Sequence, residues 1–148
     1  MNIIEILEQE HEQVERELLE LESIIKDSEE NGQAINYPNL IHVCSKLINI
    51  WDKHEKKEEI IFPVIKKEQI IIPVKTMLFD HRKLRPHKDA MKKAIDSGSE
   101  FKVKQALRDH LPIVLKELRE HINYEDEVLY RITLDLFTPE ELKQMNID

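Results

Sequence analysis

Four successive stretches of the chain repeat apolar residues at alternating steps of three and four, and each stripe contains one histidine. The first runs Ile4, Leu7, His11, Val14, Leu18, Leu21 and Ile25. The second carries Leu40, Val43 or Cys44, Leu47, Trp51, His54, Glu58 and Ile61. A weaker third stripe reads Val74, Met77, His81, Leu84, Lys88, Met91 and Ile95, and the fourth reads Leu107, Leu111, Val114, Leu118, His121, Glu125, Val128 and Ile132. Residues at this spacing share one face of an α-helix, so each stretch predicts an amphipathic helix with a buried seam. With two glycines in 148 residues and abundant Glu, Lys, Leu and Ile, the chain is expected to be all-α. Its length suits one domain over 1–148 with a substantial core, the bundle itself spanning about residues 3–132.

Turn chemistry marks the boundaries. Asn31-Gly32 ends the first helix, because glycine adopts the left-handed cap conformation without strain. A loop through Asn36 follows, and Pro38 suits the first turn of the second helix. Phe62-Pro63 ends or kinks that helix. Pro86 predicts a kink or break in the third, and Pro112 a distorted turn near His110 in the fourth, since an interior proline costs about 3 kcal/mol. Ser97-Gly98-Ser99 is a turn, and Thr138-Pro139-Glu140-Glu141 starts a short C-terminal helix.

The two halves echo one another. Glu10-His11-Glu12 parallels Asp80-His81-Arg82, and the His-x-x-x-Glu run of His54 and Glu58 returns as His121 and Glu125, followed each time by acidic, apolar and aromatic residues. The interval from His11 to His54 nearly equals that from His81 to His121. These features predict a duplicated helical hairpin closing into an up-down-up-down four-helix bundle with approximate two-fold symmetry.

Bulk properties exclude several partners. The net charge is -8, with both signs mixed along the solvent faces and no basic block or arginine stripe, so nucleic acid is not expected as a partner. No apolar run approaches the ~20 residues of a membrane helix. The N-terminus lacks a basic flank and is acidic by its fifth residue, unlike a signal peptide. One cysteine, Cys44, excludes an intrachain disulfide. Together these features point to a cytoplasmic, soluble protein.

The histidines and in-stripe carboxylates carry the chemistry. Side chains four apart on a helix lie roughly 5–6 Å from one another. His54 with Glu58, and His121 with Glu125, therefore reach one cluster from two helices, while His11 and His81 meet it from the other two. A carboxylate has two oxygens and can bridge two ions, and imidazole suits iron, manganese and zinc. An uncompensated carboxylate in a bundle core is costly, and a cation removes that cost. The candidate metal ligands are thus His11, His54, Glu58, His81, His121 and Glu125. His42 and His110 are read as surface or helix-end residues. Trp51 and Tyr124 are read as structural, and Cys44, roughly 15 Å of helix from His54, is not a ligand.

At these residues the chain resembles the hemerythrin-like family, the HHE cation-binding domain, over roughly Ile3 to Tyr130. The repeated His-x-x-x-Glu and the isolated His11 and His81 carry the resemblance. It implies a bundle around two non-haem iron ions, with Glu58 and Glu125 as bridges, His11 and His54 serving mainly one iron, and His81 and His121 the other. Two positions depart from the family pattern. Oxygen-carrying members have a fifth histidine one turn after that of the third helix, where this chain has Arg85. Bacterial members often have a second histidine directly after that of the second helix, where this chain has Glu55. Glu55 is either an extra carboxylate ligand, as in iron-responsive members, or a solvated helix-face residue. Arg85 is either an anion contact or solvated, and His87 stands in for the missing histidine if Pro86 breaks the helix.

The resemblance then implies binding or sensing of a small diatomic ligand, O2 or NO, at an open iron position, with manganese or zinc as alternative ions. Enzymatic handling of iron, peroxide or NO, including iron–sulfur repair, is one alternative; an iron-responsive interaction module is another. Ferritin-type oxidation fits less well, because that motif runs Glu-x-x-His.

Overall fold

The computed structural model describes residues 1–32, 34–66 and 72–145. Gln33, in the stretch where a loop through Asn36 is expected, lies outside them. The helices are α1 (Ile3–Asn31), α2 (Tyr37–Ile61), α3 (Val74–Asp96), α4 (Glu100–Tyr124), α5 (Tyr130–Leu136) and α6 (Pro139–Gln144). A 3-10 turn, Phe62–Val64, follows α2, and a π-helical turn, Glu125–Leu129, joins α4 to α5. The described residues contain no strand, and none of their helices is long and apolar enough to cross a membrane.

Local chemistry sets the ends as expected. The Asn2 side chain accepts the Glu5 backbone N–H at 2.9 Å, and Gly32 closes α1 at φ 65°. The Asn36 side chain accepts from the Asn39 N–H at 3.1 Å, with Pro38 in the first turn of α2. Ser99 caps α4, and Thr138 and Glu141 form a reciprocal capping box on α6. Each such cap contributes about 1 kcal/mol by satisfying an otherwise orphaned N–H.

Pro86 and Pro112 do not break their helices; α3 and α4 run through both. The reason lies in their placement. Both prolines are solvent-exposed, and so are Arg82 and Arg108, the residues whose carbonyls lose a hydrogen-bond partner. Water can serve those carbonyls, while the opposite faces stay anchored by Leu84 and Met91 in α3 and by Leu111 and Val114 in α4.

Helices α1 and α2 pack closely together, as do α3 and α4, giving the two hairpins. His11 lies near the start of α1 and His54 near the end of α2, yet their ring centroids are 4.5 Å apart, so the pair runs antiparallel. His81 and His121 meet likewise at 5.1 Å across α3 and α4. The four histidines therefore lie at one end of the bundle. Two apolar clusters flank them. One, distal, contains Val14, Leu18, Leu47, Trp51, Leu111 and Leu118; the other contains Ile4, Leu7, Phe62, Met77, Leu129, Tyr130 and Leu142.

The seam of α4 departs from simple periodicity after Glu125. Leu129, Tyr130 and Thr133 are fully buried, whereas Val128 and Ile132, expected on the stripe, are only partly so. The π turn explains this slip. The Tyr130 N–H bonds back five residues to the Glu125 carbonyl, which inserts one residue and shifts the downstream face by one position. In α3 the end of the stripe shifts similarly, with Ala94 rather than Ile95 buried.

Cys44 is buried, and burial pushes its thiol up to about 12. Its reaction with a disulfide reagent near pH 8 should be on the order of a thousandfold slower than in denaturant, because little thiolate is present; rapid labelling of the folded protein would contradict this placement. The π turn makes a second prediction. Deleting exposed Glu127 restores a plain α register while leaving Leu129, Tyr130 and Thr133 inward, so it should cost only about 1–3 kcal/mol by thermal denaturation. Deleting exposed Asp109, upstream of the turn, rotates the following seam out of the core and should prevent folding.

Candidate metal centre

The local sequence places each polar side chain on an otherwise apolar seam. One turn of α2 separates His54 from Glu58, and one turn separates His121, near the end of α4, from Glu125, which opens the π turn. The structure brings all six sequence-derived candidates into one buried layer. Glu58 and Glu125 are fully buried, and His11, His54, His81 and His121 nearly so. His54 Nε2 lies 3.1 Å from Glu58 Oε1, and His81 Nε2 lies 3.2 Å from that same oxygen. His11 Nε2 and His121 Nε2 lie 3.2 and 3.0 Å from Glu125 Oε1.

These atoms form two overlapping sets. His11, His54, Glu58 and Glu125 make one, and Glu58, His81, His121 and Glu125 the other, with the donor atoms of each set within 4.8 Å of one another. Both carboxylates belong to both sets, as bridging requires. Several of the donors are also poorly served by protein. His54 Nε2, His121 Nε2 and both Glu125 oxygens are buried without a hydrogen bond, although close contacts surround them. Ligands about 2.0–2.2 Å from one ion stand near 3 Å from each other, so close but unbonded donors fit shared cations. An N- and O-donor set of this kind suits iron, manganese or zinc.

With protons as the only cations, the two carboxyls of the layer are pushed in opposite directions. Burial alone would raise the Glu58 carboxyl, but His54 and hydrogen bonds from the neighbouring groups hold it well below the usual range. Burial pushes Glu125 well above that range, and the Glu58 charge adds to the effect. Burial works against charge on His54, yet Glu58 and Glu10 outweigh it and take the imidazole up to about 9. His11 is raised in the same way by Asp126 and Glu125.

Sequence reasoning missed a surrounding ring of polar partners. The far nitrogen of His11 meets Asp126 at 2.7 Å, that of His54 meets Glu10 at 3.1 Å, and that of His121 meets Asp80 at 3.1 Å. Lys57 in turn holds Glu10. Tyr130 was missed as well: its hydroxyl donates to Glu58 Oε2 at 2.7 Å and its ring stacks on His11 at 5.3 Å. Phe62 stacks correspondingly on His81 at 6.1 Å. The signal was present in the repeated acids beside each motif and the aromatic after it.

The remaining candidates lie outside the two shared sets, although Glu55 and Glu59 bring carboxylate oxygens within 4.8 Å of a His81 nitrogen as a third group of donors. Glu55 is buried but not solvated; it bonds Arg85 at 2.6 Å and Lys88 at 2.9 Å. Arg85 also bonds Glu59, at 2.7 Å. Lys88 is buried because Asp52 and Glu55 compensate it and its ammonium lies 5.1 Å from the Trp51 ring centroid. His87 belongs to neither donor set. With α3 unbroken at Pro86 it points to His110 instead, Nδ1 to Nδ1 at 3.0 Å, so His110 is a half-buried partner rather than a helix-end residue. His42 and Tyr124 are exposed.

An antiparallel helical bundle with two clusters of buried His and Glu at one end defines a helical cation-binding protein. The hemerythrin HHE cation-binding domain matches residues 2–133, and the chain belongs to that family. No curated protein matches it, and no solved structure does.

Tyr130→Phe tests the hidden phenol. Phenyl already occupies the corresponding place at Phe62, so helix content should be unchanged. Loss of a donor to the ionised Glu58 should lower stability in the presence of a chelator by about 1–3 kcal/mol, read by denaturant titration. Equal stability would show that Glu58 does not depend on this hydroxyl.

Proposed function

We propose that the chain is a di-iron protein that binds or senses O2 or NO. In this reading His11 and His54 hold one ion, His81 and His121 the other, and Glu58 and Glu125 bridge them. The observation that carries it is the pair of buried donor sets sharing two carboxylates. Family membership supplies the expectation of a cation. Bound iron would supply redox change and, with no fifth histidine at Arg85, a coordination position open to a small ligand.

The chain's own residues shape that chemistry. Asp126, Glu10 and Asp80 fix three imidazoles through their far nitrogens, which sets tautomer and ring orientation. Phe62 and Tyr130 close the layer on its apolar side and exclude bulk water. The Tyr130 hydroxyl, which donates to Glu58 Oε2, also stands 3.4 Å from His11 Nε2. A surface cleft of about 540 Å³, lined partly by His11, Ile122 and Asp126, offers a small molecule an approach.

Elemental analysis of untagged protein from iron-supplemented cells should find about two irons per chain, the number two bridged donor sets call for. His54→Ala or Glu58→Ala should express as a folded protein and lose most of that iron. Wild-type iron content in either variant would overturn the ligand assignment. An unchanged visible spectrum when the anaerobic Fe(II) protein meets O2 or NO would overturn the ligand-binding role.

A further inference from the structure

The two hairpins supply equivalent residues to the layer, and the equivalence extends to the carboxylates behind the histidines. Glu10 precedes His11 and bonds His54; Asp80 precedes His81 and bonds His121. Asp126 follows Glu125 and bonds His11 at 2.7 Å. The fourth member of this pattern is Glu59, which follows Glu58 and faces His81.

That fourth bond is not made. Glu59 Oε1 stands 3.8 Å from His81 Nδ1, and this nitrogen is buried without a hydrogen-bond partner. The same Glu59 oxygen accepts a 2.7 Å bond from Arg85, whose guanidinium also grips Glu55 at 2.6 Å. Arg85 sits one turn after His81, where the other hairpin has Glu15 one turn after His11. There the guanidinium of Arg119 engages Glu15 and Glu22, so Asp126 stays available to His11.

We propose that Arg85 is a positioning residue that draws Glu59 away from His81 and so makes the two ion positions unequal. The His81–His121 position then binds its ion more weakly and exchanges it faster than the His11–His54 position. The physical cause is loss of the carboxylate that would fix the His81 ring and strengthen its donor nitrogen, a contact typically worth 10–100-fold in metal affinity. The effect is local, because Glu59 is half-exposed and Lys88 continues to compensate Glu55 when Arg85 is changed. The inference rests on the di-metal reading above, and its test separates the two.

Cobalt(II) alone, followed by its visible absorption, is a suitable probe of each position. In the full chain, His11→Ala leaves only the His81 position intact and His81→Ala leaves only the His11 position. Cobalt should bind about 10–100-fold more weakly to the His11→Ala protein than to the His81→Ala protein. Adding Arg85→Gln should recover most of that loss in the His11→Ala background and change nothing in the His81→Ala background. Adding Glu59→Gln should abolish the recovery, whereas Glu59→Gln without the arginine change should have little effect. A purely structural role for Arg85 would move both backgrounds together, and that outcome would overturn the inference. So would equal affinities at the two positions, or a third equivalent of cobalt in Arg85→Gln, which would mean that Glu55, Glu59 and His81 form a separate site that the guanidinium had blocked. Fewer than two cobalt ions bound by the unmodified chain at saturation would instead overturn the di-metal reading itself.

Discussion

Six ionisable side chains buried in one layer of a helical bundle are a severe electrostatic constraint, and much of the architecture answers to it. An unpaired buried charge costs several kcal/mol even after the protein relaxes. Here every ring nitrogen facing the layer lies against a carboxylate oxygen, and the two carboxyls are pushed in opposite directions when only protons compensate them. Such a layer has to be assembled at one level of the bundle. That places His11 and His81 early in their helices and His54 and His121 late in theirs, which only antiparallel hairpins satisfy. It also divides the apolar core into a distal cluster and a smaller one around Phe62 and Tyr130.

The π turn belongs to the same solution. In a regular helix the residue four after Glu125, Leu129, would occupy the level that Phe62 occupies four after Glu58. One inserted residue gives that level to Tyr130 while leaving Glu125 in the layer and Asp126 against His11. A π turn has poorer hydrogen-bond geometry than an α-helix and is seldom retained without a gain. The gain here is visible: three functions, at Glu125, Asp126 and Tyr130, come from six residues of chain.

The sequence made the seams, the turns and the six candidate donors legible because all three depend on short-range spacing. Steps of three and four identify a face whatever that face packs against, and His-x-x-x-Glu places two donors together within one helix. What escaped depends on tertiary placement. Tyr130 reads as one aromatic among others until the π insertion turns it inward, and a hydropathy stripe extrapolated at regular period puts Val128 and Ile132 there instead. Glu10 and Asp80 show in the sequence only as echoes beside His11 and His81, and Asp126 only as an acid after Glu125, since each serves a histidine on another helix. The prolines misled for a related reason: their cost depends on which side of the helix loses its carbonyl partner, and Arg82 and Arg108 face solvent.

The two hairpins supply corresponding residues to the shared layer, and differences around it give the two sides different surroundings. The His11 side has a phenol stacked on its imidazole, a carboxylate on the far nitrogen and an adjoining cleft. The His81 side has a phenyl ring, a far nitrogen left unbonded and an arginine holding the acid that would serve it. Of these differences only the Tyr130 hydroxyl reaches a shared donor, at Glu58 Oε2, and it leaves both carboxylates in both donor sets, so the surroundings can differ without dismantling the layer. On the di-iron reading, a bridged pair of ions with similar donor atoms thereby acquires two chemically distinct members. One is rigidly held beside a proton-bearing hydroxyl; the other is more loosely held beneath the Arg85 clamp. The inequality arises from tertiary contacts outside the donor sets, so counting histidines in the sequence does not reveal it.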